Sequence, residues 1–136
     1  MQASLELQRG LVAALQADAA LSAHGLAIYD GPPSGAPSPY LSVGEDIARF
    51  RGWKGGGGVE HRFAVTLWDL RESFASAKAI LADVERVVLA MPRQIGRSRL
   101  VWLRLLRGTV KRTKRNWTQA TLEFAALSVE GDGNGS

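Results

Sequence analysis

His24 and His61 are the side chains best suited to proton transfer or metal binding near neutral pH, and neither has the neighbours that such chemistry needs. A metal site calls for further imidazoles, thiolates or carboxylates at short spacing. The chain has no cysteine, no His-x-x-x-His and no carboxylate-histidine cluster. His61 alternates with apolar residues in VEHRFAVTL and reads as a core or interface histidine, while His24, just ahead of Gly25, reads as a helix-end cap. A strained nucleophile turn would read Gly-x-Ser-x-Gly, which neither PSGAPSP nor LSVGE matches. The acidic pairs Glu45/Asp46 and Asp69/Glu72 have local readings as loop solvation and helix capping. No constellation argues for an enzyme, and none calls for a cofactor or metal.

Charge carries more information. Net charge is only +4, but nine of the seventeen basic residues lie from Arg93 to Arg115, and no acid follows them until Glu123. Lys111, Arg112, Lys114 and Arg115 cluster in KRTKRN beside Trp117. Such a cluster either keeps a sheet edge soluble or meets a polyanion without reading its sequence, and both readings stay open here.

Two glycine-containing stretches punctuate the chain. GPPSGAPSP, residues 31 to 39, lacks the basic flank of a polyproline ligand and reads as a stiff connection between two strands. RGWKGGGGVEHR differs in kind. Four consecutive glycines lose much entropy on ordering, so Gly55, Gly56, Gly57 and Gly58, with Trp53 and Lys54, are expected to form a mobile loop within residues 46 to 58. Its role would be assembly, ordered by contact with neighbours. A phosphate-binding loop would continue with Lys-Ser/Thr into a helix, whereas this run opens onto a strand.

The elements that position these features follow from periodicity. Residues 4 to about 21 carry Leu5, Leu7, Leu11, Leu15 and Ala19 at helical spacing, with Ser4 as N-cap and Gly10 as a weak point. LAIYD and YLSVGE read as short strands, and residues 59 to 70 as a long one with Val59, His61, Phe63, Val65 and Leu67 on one face. A second helix is expected over 71 to 91, stopped by Pro92, with Asp69 and Glu72 at capping-box spacing. Two last strands, 99 to 110 and 116 to 130, flank the basic turn. Phe74, Leu81 and Val84 should pack on Phe63, Val65, Leu122 and Phe124. The fold class is α+β, a mainly antiparallel sheet with two packed helices.

At 136 residues and 46% apolar content the chain suits one domain, 1 to 130, followed by a flexible tail, 131 to 136. No apolar run reaches the roughly 18 residues of a membrane span, and no leader precedes the first helix, so no membrane partner is expected.

The segments LVAALQADAAL, LAIYDGPPSGAPSPYLSVGED, EHRFAVTLWD, FASAKAILADV and RLVWLRL, in this order, resemble the tail-completion or tail-terminator proteins of long-tailed phages, prophages and gene transfer agents. The resemblance spans about residues 5 to 128, and its most specific element is the I-Y-D-G-x-P-x-G-A-x-x-P-Y block. It implies a virion structural protein of the tail or neck, assembled in the bacterial cytoplasm as a homo-hexameric ring. Such a ring ends polymerisation of the tail tube protein and offers a face to the head connector or stopper protein, with DNA passing through its lumen. The resemblance brings no catalytic or cofactor residues. On this reading Lys111, Arg112, Lys114 and Arg115 would face DNA in the channel, and Trp53 to Gly58 would form the assembly loop. The alternative is a stand-alone, non-sequence-specific nucleic-acid-binding module.

Overall fold

The computed structural model describes residues 1–31, 33–71 and 73–131. The order of elements is α1 (Gln2–Ala17), α2 (Ala19–Ala23), β1 (Ala27–Asp30), β2 (Tyr40–Trp53), β3 (Gly56–Asp69), α3 (Phe74–Leu89), β4 (Ser98–Arg112) and β5 (Thr118–Glu130). The five strands form one sheet in the order β1-β2-β3-β5-β4, antiparallel except for the β1–β2 pair. This is the expected α+β class. The tail expected from residue 131 lies, beyond Gly131, outside the described residues.

Both long helices cover the same face of the sheet. Leu7, Leu11 and Leu15 of α1, spaced by four, and Ile80, Leu81, Val84 and Val88 of α3 share one buried cluster with Leu41, Val43, Phe63, Val65, Leu122 and Phe124 of the sheet. Phe63 and Phe124 are cross-strand partners whose rings stack with centroids 5.3 Å apart. Leu81, Val84, Phe63, Val65, Leu122 and Phe124 are all buried, as their spacing requires. Phe74 is the exception at 41% exposed, because it is the first residue of α3 and not one turn inside it.

The helix boundaries differ from the periodicity reading in two places. The first helix is not continuous to residue 21. It ends at Ala17, and Asp18 caps a separate short helix by accepting from the Leu21 N–H at 3.1 Å. Asp18 also takes two hydrogen bonds from the Arg86 guanidinium at 3.1 Å, tying this junction to α3. Ser4 is not the cap, since α1 begins at Gln2 and Ser4 is buried in its first turn. At α3 the cap is Ser73, accepting from the Ser76 N–H at 3.0 Å. Asp69 instead accepts from the Arg71 backbone and guanidinium, and the Glu72 half of the expected capping box lies outside the described residues.

The largest departure is β2. The expected loop from 46 to 58 is a β-hairpin, in which β2 runs past a bulge between Gly44 and Ile47 to Trp53 and returns as β3 from Gly56. Only Lys54 and Gly55 turn the chain, Gly55 at φ +86°. The aromatic rings of the partner strand explain why glycines hold a strand here. A Cβ at Gly56 would lie 3.1 Å from Trp53, and one at Gly57 would lie 3.0 Å from Phe50. At Gly58 it would meet the Ser128 carbonyl at 2.5 Å. The glycines are the floor on which two rings lie.

Candidate assembly and nucleic-acid interfaces

With both long helices on one face, the other face of the sheet is uncovered among the described residues. Cross-strand register places Arg49, Arg51, Arg62, Arg104, Arg107 and Lys111 there, against the carboxylates Glu60 and Glu123. Both carboxylates are engaged by arginines, Glu60 by Arg51 at 2.8 Å and Glu123 by Arg107. Thr66 and Thr121 share a hydrogen bond between the central strands, and Arg104 lies 4.5 Å over the Trp102 ring on the edge strand. The face thus carries more cations than it neutralises, at fixed positions on a rigid sheet.

The KRTKRN segment is only partly the turn expected of it: Lys111 and Arg112 are still paired in β4, and residues 113 to 117 are the turn connecting β4 to β5. Thr113 closes it twice: its N–H donates to the Trp117 carbonyl at 2.8 Å, and its Oγ1 accepts from the Trp117 N–H at 3.2 Å. Asn116 takes the left-handed position at φ 63°, which asparagine tolerates. Trp117 is held by edge-on contacts to Tyr40 and Trp68, with ring centroids 6.1 and 6.4 Å apart, and Tyr40 packs on Tyr29 at 5.6 Å. The four basic residues do not share one direction. Lys111 lies on the uncovered face, Lys114 and Arg115 are exposed at the tip, and Arg112 turns back over the Phe74 ring at 5.9 Å while donating to the Asn116 carbonyl at 3.1 Å. Periodicity missed the strand-face cations Arg62 and Arg104 as partners of Lys111, although the two-residue alternation of each strand carried that signal.

The hairpin ends the sheet on the opposite side. Gly56 and Gly57 pair only with Trp53 and Gly52, beyond the last β3–β5 partners at Val59 and Ser128. Phe50, 79% exposed, opposite Val59 at the last three-stranded rung, and Trp53, 48% exposed, in the two-stranded tip stand on opposite faces of the hairpin. The proline-rich connection lies at the other end, where the Ser38 hydroxyl donates to Asp69 at 3.3 Å and accepts from the Leu70 N–H at 2.9 Å. Burial pushes the Asp69 carboxyl up, but the Arg71 guanidinium and backbone outweigh it and hold the group below its ordinary range.

One polar cluster has the composition of a hydrolytic triad without its geometry. His61 Nε2 and Ser128 Oγ are 2.8 Å apart, and Asp46 stands 3.9 Å from His61 Nδ1. Both His61 and Ser128 are sealed, at 0% and 1% exposure, so no substrate reaches the hydroxyl. The pair is a buried bridge between β3 and β5. Burial keeps the imidazole below its ordinary pKa of 6.5, and the Asp46 carboxylate offsets only part of that. Among the described residues no group of three His, Asp or Glu side chains is arranged to hold a metal ion, and no helix is long and apolar enough to cross a membrane.

Residues 9–128 match the family model described as tail completion protein gp17. Twenty-two chains among solved structures match. One of them, from a structure described as the virion of a native gene transfer agent particle, is 33% identical with a TM-score of 0.78, covering 91% of this chain and 94% of that one. No curated protein sequence matches.

Proposed function

The chain belongs to the tail completion protein gp17 family and is a structural component of the virion tail, and from that premise we propose that it forms a homo-hexameric ring at the head-proximal end of the tail tube. The ring ends tube polymerisation, presents one face to the head connector, and leaves a lumen through which DNA passes. The observation that carries this reading is the uncovered sheet face, where arginines and Lys111 exceed the carboxylates and stand on a rigid frame. A single copy offers few phosphate contacts. Six copies around a duplex offer many, none of which reads a base.

Lys111, Lys114 and Arg115 rim that channel in this reading, and the tip from Trp53 to Gly58 serves assembly. A stand-alone nucleic-acid module would instead bind DNA tightly as a monomer, with a steep salt dependence. Electron microscopy of particles carrying a labelled chain tests the proposal. The expected image is one six-fold ring between tube and connector, with overlong, headless tubes when the chain is deleted. Normal tube length and normal joining without the chain would overturn it.

A further inference from the structure

The charges of the uncovered sheet face are not spread evenly along the strands. Arg49 stands opposite Glu60, Arg62 and Arg104 stand on either side of Ala125, and Arg107 stands opposite Glu123. The next rung toward the basic turn, Ser42, Thr66, Thr121 and Thr109, carries no charge. The charged half of the face is therefore the one nearer the hairpin, and its arginines differ in how they are partnered. Arg51 donates to Glu60 at 2.8 Å, and Arg107 donates to Glu123. Arg62 and Arg104 have no carboxylate within ion-pair distance among the described residues, and Arg104 is braced on the Trp102 ring. Asp46, on the neighbouring bulge, is directed to His61 instead.

In both ion pairs the carboxylate is the more sheltered partner. Glu60 is 18% exposed against 55% for Arg51, and Glu123 is 38% exposed against 70% for Arg107. Glu123 also lines a shallow depression with Ala64, between Ile47 at the β2 bulge and Leu106 at the β4 bulge. A polyanion arriving from solvent meets the guanidinium groups first, with the carboxylates set behind them.

We propose that Glu60 and Glu123 set how firmly this face holds a DNA duplex, by neutralising Arg51 and Arg107 so that Arg62 and Arg104 carry the phosphate contacts. This deepens the channel reading above and rests on it. A guanidinium already paired with a carboxylate has little net charge left with which to displace counterions from a phosphate, and counterion release drives sequence-independent binding. Unpaired arginines at every position would grip a passing duplex. A face that spends part of its charge on its own carboxylates attracts the same duplex and has less to break at each step of its passage.

The test titrates the free full-length chain with a labelled DNA duplex of about 20 base pairs at roughly 50 to 200 mM salt, where the slope of log K against log salt counts phosphate contacts. Glu60→Gln with Glu123→Gln keeps both side-chain shapes and should steepen that slope by about two, one contact for each arginine released. Glu85→Gln with Glu130→Gln, which removes the same charge from α3 and from the other side of β5, should leave it unchanged. Glutamine at all four of Arg51, Glu60, Arg107 and Glu123 should also keep the native slope, because neutral pairs are lost whole. A slope that stays the same or falls in the first variant, or that rises equally in the control, overturns the role of the two carboxylates and leaves the ring reading standing. In particles, the first variant should slow DNA delivery into host cells with tail length and head joining normal. A steeper slope with unchanged delivery overturns the channel placement and leaves the ion-pair role intact. Failed joining with an unchanged slope would assign the face to an acidic protein partner and overturn the proposal.

Discussion

At the residue scale, the consequences of close packing are sharpest at Gly58 and His61, which share Ser128 as a neighbour. A methyl group at 58 meets the Ser128 carbonyl, which belongs to the β5 backbone and cannot rotate away, whereas one at 56 meets only the Trp53 ring. Gly58→Ala is therefore expected to cost about 1–3 kcal/mol in denaturant unfolding, and Gly56→Ala clearly less. His61 gives a pH dependence whose sign follows from its burial. Its folded pKa is below 6.5, so at pH values under 6.5 the unfolded chain binds the proton that the folded chain refuses. Stability from this group is complete above 6.5 and falls as pH drops toward the folded pKa, by at most about 1.4 kcal/mol per pH unit. Melting temperatures measured from pH 7.5 to 5 should fall in the native chain and flatten in His61→Gln. An equal slope in both would show that another group titrates there.

At the scale of elements, α3 and the central strands carry the core, and the predicted costs separate what is inside from what only borders it. Leu81→Ala and Phe124→Ala should each destabilise by about 2–5 kcal/mol through lost transfer energy and a residual cavity. Phe74→Ala, at the exposed start of the helix, should cost far less, and its measured value reads the helix boundary directly. These elements were legible because their alternation or three-four spacing is unbroken: β3 from Val59, β5 with Ala120, Leu122, Phe124 and Ala126 inward, and the Leu81, Val84 and Val88 stripe. The far half of β2 was not. A bulge after Gly44 shifts the alternation, and the glycines opposite show no pattern of their own, because their packing partners are rings on the other strand. The parallel β1–β2 pair was hidden for a similar reason: its nine-residue connection, 31 to 39, is shorter than a usual crossover and is fastened to the sheet through Ser38 and Asp69. Of the candidate site, the basic turn was visible as composition, while the basic face needed the register of three strands.

At the scale of the whole molecule, the chain has two chemically distinct ends and one charged face, and the charged face bears on what passes the ring. The turn residues and the strand cations make separable predictions. Replacing Lys111, Arg112, Lys114 and Arg115 together with glutamine should leave the monomer stable apart from the Arg112–Phe74 contact, because the other three are exposed. If they rim a DNA channel, rings form and heads join, but DNA retention or ejection changes. If they meet an acidic surface of the connector, tails assemble and fail to join heads. Glutamine at Arg62 and Arg104, on the sheet face itself, gives the comparison, since these positions lie away from the turn and its end of the molecule. A channel formed by the sheet predicts that this pair shifts DNA retention in the same direction as the quadruple change, with joining normal in both. The effect should be larger at low ionic strength, since screening over about 10 Å at 0.1 M salt weakens contacts between exposed charges and phosphate. Normal joining, retention and infectivity in both variants at every salt concentration would reduce the basic face to a solubility device on an open sheet face.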